Sequence, residues 1–111
     1  MKILVADDHA LIRDGIRGQL RGLDGETTTI EARDWIETLA VAVAHPDLDL
    51  ALVDLRMPGK EGFAALAVLL HANPGLPVLV LSASEDVQDM RAVLRLGAMG
   101  YVSKSEPAAI M

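Results

Sequence analysis

Asp7, Asp8, Asp54, Ser82 and Lys104 are the residues of this 111-residue chain whose types and neighbours could do chemistry. Each comes at the end of a short apolar run: Ile3-Leu4-Val5-Ala6 before the acidic pair, Leu52-Val53 before Asp54, Val78-Leu79-Val80-Leu81 before Ser82, and Tyr101-Val102-Ser103 before Lys104. If those runs are parallel strands, the residues beyond their carboxyl ends line one rim of the sheet, where open α/β folds place their sites. Three carboxylates, a hydroxyl and an amine then converge. Crowded carboxylates repel unless a cation joins them, and an oxygen-rich, water-rich donor set suits Mg²⁺. With that charge neutralised, a carboxylate such as Asp54 can attack a phosphoryl group. The transfer asks mainly for positioning and for cations around the phosphoryl oxygens, which the metal, Lys104 and Ser82 supply.

Each residue also has a plainer reading. Asp8 can cap a helix starting near His9, Ser82 can form a capping box with Glu85, and Lys104 can be a solvated lysine. Asp54 is the hardest to read this way, because a carboxylate ending an apolar strand is rarely buried without partners. His9, His45 and His71 fall in separate loops or helix ends without metal-ligand spacing, which predicts surface or capping roles.

The elements that must hold these residues are legible in the alternation of short β-branched or Leu-rich runs with stretches of helical period. Strands are predicted at Lys2–Ala6, Thr27–Glu31, Asp49–Val53, Pro77–Leu81 and Gly100–Ser103. Four helices lie between them, with apolar faces at Ile12, Ile16 and Leu20, then Ile36, Leu39, Ala40 and Val43, then Phe63, Leu66 and Leu70, then Met90, Val93 and Leu94. Breakers fall at Gly22 and Gly25 after the first helix, Asn73-Pro74-Gly75 after the third and Gly97 after the fourth. Strands one, three and four are apolar on both sides, as a parallel sheet covered by helices requires. The second, Thr27-Thr28-Thr29-Ile30-Glu31, is half polar and belongs at an edge, which gives the doubly wound order 2-1-3-4-5. Only Glu106–Met111 follow the fifth strand, so the final helix is expected to be missing or truncated.

Composition narrows the function. A formal charge of −6 opposes direct contact with a nucleic-acid backbone. No cysteine is present for disulfides, thiolate metal sites or thiol redox chemistry, in keeping with a reducing cytosol. The apolar runs are far shorter than a membrane span and no leader pattern precedes the first strand, so a cytoplasmic location is expected.

Asp7-Asp8-His9, Leu52-Val53-Asp54-Leu55-Arg56-Met57-Pro58-Gly59, Leu81-Ser82-Ala83 and Gly97-Ala98-Met99-Gly100-Tyr101-Val102-Ser103-Lys104 together resemble, in order and spacing, the receiver domain of bacterial response regulators. The similarity spans nearly the whole chain. Asp8-His9-Ala10-Leu11-Ile12-Arg13-Asp14-Gly15 is most similar to the NarL/FixJ (LuxR-type) subfamily of two-component systems, whose members join a receiver to a C-terminal helix-turn-helix domain.

The resemblance implies a flavodoxin-like fold over residues 1–111 and a signalling phosphoacceptor that promotes only its own phosphotransfer and slow self-dephosphorylation. Asp54 would take the phosphoryl group from a sensor histidine kinase. Asp8 would bind Mg²⁺ directly, Asp7 mainly through water, and the backbone carbonyl of Arg56 would be a further ligand beside Asp54. Lys104 would pair with the phosphoryl oxygens, Ser82 would swing toward them, and Tyr101 would follow inward as the switch. Arg56 and Ser84 would set the phosphoryl lifetime, with the small Ala83 leaving the pocket open. The output would be transcription, through a DNA-binding domain absent from this chain, and an uncovered sheet face could recruit a second copy as a homodimer. One departure is Ser105, where many receivers have proline after the lysine, which puts a cis bond at Lys104-Ser105 in question because it costs about 3 kcal/mol without proline.

Three other readings compete. A haloacid-dehalogenase-like phosphatase needs an acid two residues after the nucleophile, and Arg56 stands there. A flavin-binding module needs a phosphate loop after strand one. A receiver-like interaction module that is never phosphorylated is opposed by the acidic residues together with Ser82 and Lys104.

Overall fold

The computed structural model describes residues 1–23, 26–82 and 87–103. Strands and helices alternate: β1 (Lys2–Ala6), α1 (Ala10–Leu23), β2 (Thr28–Ala32), α2 (Trp35–Ala44), β3 (Leu50–Asp54), α3 (Gly62–Ala72), β4 (Val78–Ser82), α4 (Val87–Leu96) and β5 (Gly100–Ser103). The five strands form one parallel sheet in the order β2-β1-β3-β4-β5. This is the doubly wound, flavodoxin-like order, with half-polar β2 at an edge as predicted. The expectation that the final helix is missing or truncated falls on Glu106–Met111, which lie outside the described residues.

Alternate residues of the central strands feed two cores, as the pleat requires. Leu4, Ala6, Val53, Val78 and Val80 pack with Trp35, Leu66, Leu69 and Val93 on one face. Ile3, Val5, Leu52 and Leu81 pack with Ile16 and Leu20 of α1 on the other. Double-sided burial explains why β1, β3 and β4 read as continuous apolar runs.

Strands two, three and four begin and end one residue later than the sequence pattern indicates. Pro77 has no N–H, so it gives only its carbonyl to Ala51 (3.0 Å), and regular pairing starts at Val78. Asp49 is held outside β3 by Lys2: its N–H donates to the Lys2 carbonyl, and its Oδ2 accepts from the Lys2 N–H, both at 2.8 Å. The Lys2 ammonium also donates to the exposed Asp47 carboxylate at 2.9 Å, which holds that carboxyl below its ordinary range. Asp54 and Ser82 are therefore the last residues of their strands, in register with Leu81 and Ser103. Backbone pairing, instead of a loop, fixes their positions.

The α2 face also differs from the predicted one. Trp35, Thr38 and Ala42 are buried, whereas Ile36 and Val43 are 59% and 77% exposed. Trp35 settles the rotation because it places the largest apolar side chain of the helix in the core and donates Nε1–H to the Leu55 carbonyl at 3.3 Å. Thr38 can be buried there because its hydroxyl donates to the Asp34 carbonyl at 2.7 Å. In α1, Ile16 and Leu20 face the core while Ile12 is exposed. Gly22 lies inside the last turn of α1, and Gly25 lies outside the described residues. In α4, Val93 is buried, Met90 is half-buried and Leu94 is exposed. The α3 end is as expected, with the Asn73 side chain donating to the Leu69 carbonyl at 2.9 Å, and Gly97 adopts φ +113 after α4.

Gly62, which opens α3, sits directly against the turn after Asp54, and a Cβ there would overlap the Leu55 carbonyl oxygen. Helix propensity alone favours alanine at such a position by up to ~1 kcal/mol. Forcing the backbone apart costs about 1–3 kcal/mol, so the clash decides the sign. Gly62→Ala is expected to lower the urea unfolding midpoint; an unchanged or raised midpoint would show that the turn has room to spare.

Candidate functional site

The strand order reverses direction between β1 and β3, the switch point at which open α/β sheets form a crevice at their carboxyl edge. Asp7 follows β1 and Asp54 ends the neighbouring β3, and their side chains are almost wholly withdrawn from water, at 0% and 3% exposure. Ser82 ends β4 on the other side of β3 and is fully buried. Asp8 is the outer member of the group, with about a third of its side chain exposed. Asp7, Asp8, His9 and Asp54 each offer one ligand atom, and these atoms all lie within 4.8 Å of one another.

Local backbone holds the acids in place. Asp7 extends the β1–β2 ladder by donating its N–H to the Ala32 carbonyl at 3.0 Å. Its Oδ1 accepts from the His9 N–H at 2.9 Å. Asp54 Oδ1 accepts from the Arg56 N–H at 3.1 Å, and the Leu55 N–H continues onto β4 at the Leu81 carbonyl, 3.2 Å away. The turn that follows is anchored by α2, whose Trp35 takes the Leu55 carbonyl with Nε1 and the Pro58 carbonyl with its backbone N–H.

His9, expected in a surface or capping role, also stands beside the acids. Its ring is mostly exposed, yet Nδ1 lies 3.0 Å from Asp7 Oδ1 and 3.1 Å from Asp8 Oδ1. The grouping arises in the tight turn before α1 and reaches Asp54 only through space, so linear ligand spacing could not reveal it. His45 caps the α2 C-terminus by donating its N–H to the Val41 carbonyl, and His71 lies in the last turn of α3, as expected of each.

Asp8 does not act as the cap of α1. Among the described residues, its carboxylate meets only the His9 ring, while the His9 carbonyl receives the Ile12 and Arg13 N–H groups. Arg56 stands two residues after Asp54 with its side chain largely in solvent and its Nη2 3.1 Å from Asp89 Oδ2 in the first turn of α4. Tyr101 is half-buried on β5, in register with Val80 and packed against the first core. Lys104 and Ser84, with Ala83, Glu85 and Ser105, lie outside the described residues.

The donor set fits a hard divalent cation. Carboxylates from two neighbouring strand ends approach within the span of one coordination sphere, and an outer one faces solvent, where water can complete the shell. No helix among the described residues is long and apolar enough to cross a membrane.

Residues 3–111 match the family model for the response regulator receiver domain. The glycerol metabolism activator of Pseudomonas putida is 37% identical over 110 residues, covering 99% of this chain and 50% of the relative. The signal receiver domain of the response regulator NarL from Mycobacterium tuberculosis superposes with a TM-score of 0.80 at 33% identity, covering 93% of this chain and 82% of that one. The isolated receiver domain of RcsB from Salmonella enterica serovar Typhimurium, solved in the presence of phosphomimetic BeF₃⁻, gives a TM-score of 0.83 at 28% identity, covering 95% and 78%. The chain spans about half the length of the curated relatives it matches. By family match, fold and relatives, this chain belongs to the receiver domain family of two-component response regulators, a signalling family, with NarL/LuxR-type receivers among its relatives.

Proposed function

We propose that this receiver takes a phosphoryl group on Asp54 with the help of Mg²⁺ and converts it into a change of shape. The observation that carries the reading is the convergence of Asp7, Asp8 and Asp54 within 4.8 Å at the sheet's carboxyl edge, with Asp54 itself fixed in a strand. Mg²⁺ bound by Asp8 and Asp54, by Asp7 mainly through water, and by the Arg56 carbonyl would supply positive charge to the incoming phosphoryl oxygens. Asp54 supplies the nucleophile: one of its carboxylate oxygens forms the bond to phosphorus as the bond to the donor breaks, and that electron pair leaves with the donor. The Arg56 N–H, already on Asp54 Oδ1, holds the carboxylate for attack. Lys104 completes the charge around the transferred group.

Ser82, buried at the end of β4, is placed by this reading to donate its hydroxyl to the new phosphoryl oxygens. Tyr101, on the neighbouring strand β5, follows inward and alters the surface around α4 and β5. Such a switch biases an equilibrium that already exists. The donor in this reading is a sensor histidine kinase in the cytoplasm. The output is transcription, exerted by a DNA-binding domain outside this chain, and a homodimer is the assembly through which the signal is read. A monomer by light scattering across micromolar concentrations of the phosphorylated protein would remove the homodimer from this proposal.

Incubation with Mg²⁺ and a small acyl phosphate is expected to add one phosphoryl group to the intact mass of the wild type and none to Asp54→Asn. No addition to a demonstrably folded wild type would overturn the phosphoacceptor reading and favour the interaction module.

Arg56 and Ser84 are proposed to set the phosphoryl lifetime. The Arg56 side chain is 64% exposed in its pair with Asp89, so a phosphoryl group can draw the guanidinium away from α4. Arg56→Ala is expected to shorten the half-life of the phosphorylated form severalfold by opening the acyl phosphate to water. An unchanged or longer half-life would assign lifetime control elsewhere.

A further inference from the structure

Asp7 is gripped at three points. Its N–H and carboxylate are held by Ala32 and His9, and its carbonyl oxygen receives Nη1–H of Arg13 at 2.6 Å. Arg13 lies one turn into α1 and reaches back over the start of that helix. The same guanidinium donates Nε–H to Glu31 Oε1 on β2 at 3.0 Å, with the two side chains only 17% and 30% exposed. Arg17, one turn further along, takes the other oxygen of Glu31 at 2.8 Å and Asp14 at 2.9 Å, so the carboxylate of Glu31 is itself fixed from two sides.

The carbonyl that Arg13 holds belongs to the peptide joining Asp7 to Asp8. Holding that peptide restrains the backbone from which both carboxylates flanking the cation site project. Asp8 most needs such help, because among the described residues its own carboxylate meets only the His9 ring. A charge-assisted bond from a planar, forked donor is suited to this, since one arm can be anchored while the other sets an angle.

We infer that Arg13, anchored by Glu31, is a positioning residue for divalent-cation binding. It acts through the Asp7–Asp8 peptide and makes no contact with the ion; the inference rests on the Mg²⁺ reading of the acidic site. Charge and geometry make opposite demands here, which gives the idea its test. A guanidinium near a cation site repels the cation, so on electrostatic grounds alone its removal tightens binding. Loss of a brace weakens it, by about tenfold or more where outer groups orient metal ligands.

The test is a calorimetric Mg²⁺ titration of the wild type, Arg13→Met and Arg13→Lys, each under conditions where circular dichroism shows it folded, so that a general loss of stability does not move the reading. Both variants are expected to bind Mg²⁺ about tenfold more weakly than the wild type. Equal or tighter binding by Arg13→Met would overturn the brace. Should that variant not fold, Arg13→Lys decides alone, since it keeps the charge and loses the fork, and affinity equal to that of the wild type would overturn the idea. A wild type that binds Mg²⁺ beside unaffected variants removes only the brace; a folded wild type that takes up no Mg²⁺ overturns the brace together with the metal reading beneath it.

Discussion

Two carboxylates, Asp7 and Asp54, lie side by side at neighbouring strand ends with almost no access to water, and a third, Asp8, stands within reach of both. At such separations each pair of like charges opposes folding by about 3–4 kcal/mol even in an effective dielectric near 20. Against this, the hydrogen bonds from the His9 and Arg56 N–H groups each return ~1.5–3 kcal/mol. The arrangement therefore favours whatever brings positive charge to the rim. The rest of the fold can be understood as the rigid frame that keeps the acids from moving apart.

That frame has an inner and an outer part. The inner part is the sheet itself, because Asp54 and Ser82 are paired strand residues and cannot drift without breaking the ladder. The outer part is side-chain work on the turns: Trp35 on the Leu55 carbonyl, Gly62 pressed against the same group, and Arg13 on the Asp7 carbonyl. In each case a helix reaches back to a carbonyl just past a strand end. Buried carbonyls need partners, and here the partners come from elements that also carry the core. Site geometry and core packing are thus held by the same helices.

Most of the fold and the inner acids were legible because strand ends and apolar runs are local signals. Asp7, Asp8 and Asp54 could be placed on one rim from their position after Val5-Ala6 and Leu52-Val53 alone. The strand limits were one residue early at β2, β3 and β4; at β4 the apolar run was followed back to Pro77, whose missing N–H delays regular pairing to Val78, and at β3 Asp49 is taken up by Lys2. The α2 face was misread because Ile36, Leu39, Ala40, Val41 and Val43 wrap most of that helix. Periodicity then offers two stripes, and a tertiary bond from Trp35 chooses between them. The nearness of His9 to the acids was hidden for a related reason, since its partners are brought to it by a turn. The Arg13–Glu31 link joins residues far apart in sequence and left no mark in any pattern.

Trp35 carries a consequence of its own. It is the only tryptophan in the chain, it is fully buried, and its indole N–H is bonded to the carbonyl of the residue that follows Asp54. Indole emission responds to the field and hydrogen bonding at that nitrogen, so the protein contains a built-in optical reporter one peptide away from its acidic rim. Intrinsic fluorescence is therefore the natural label-free readout to try for occupancy of the rim, with no second indole to dilute the signal.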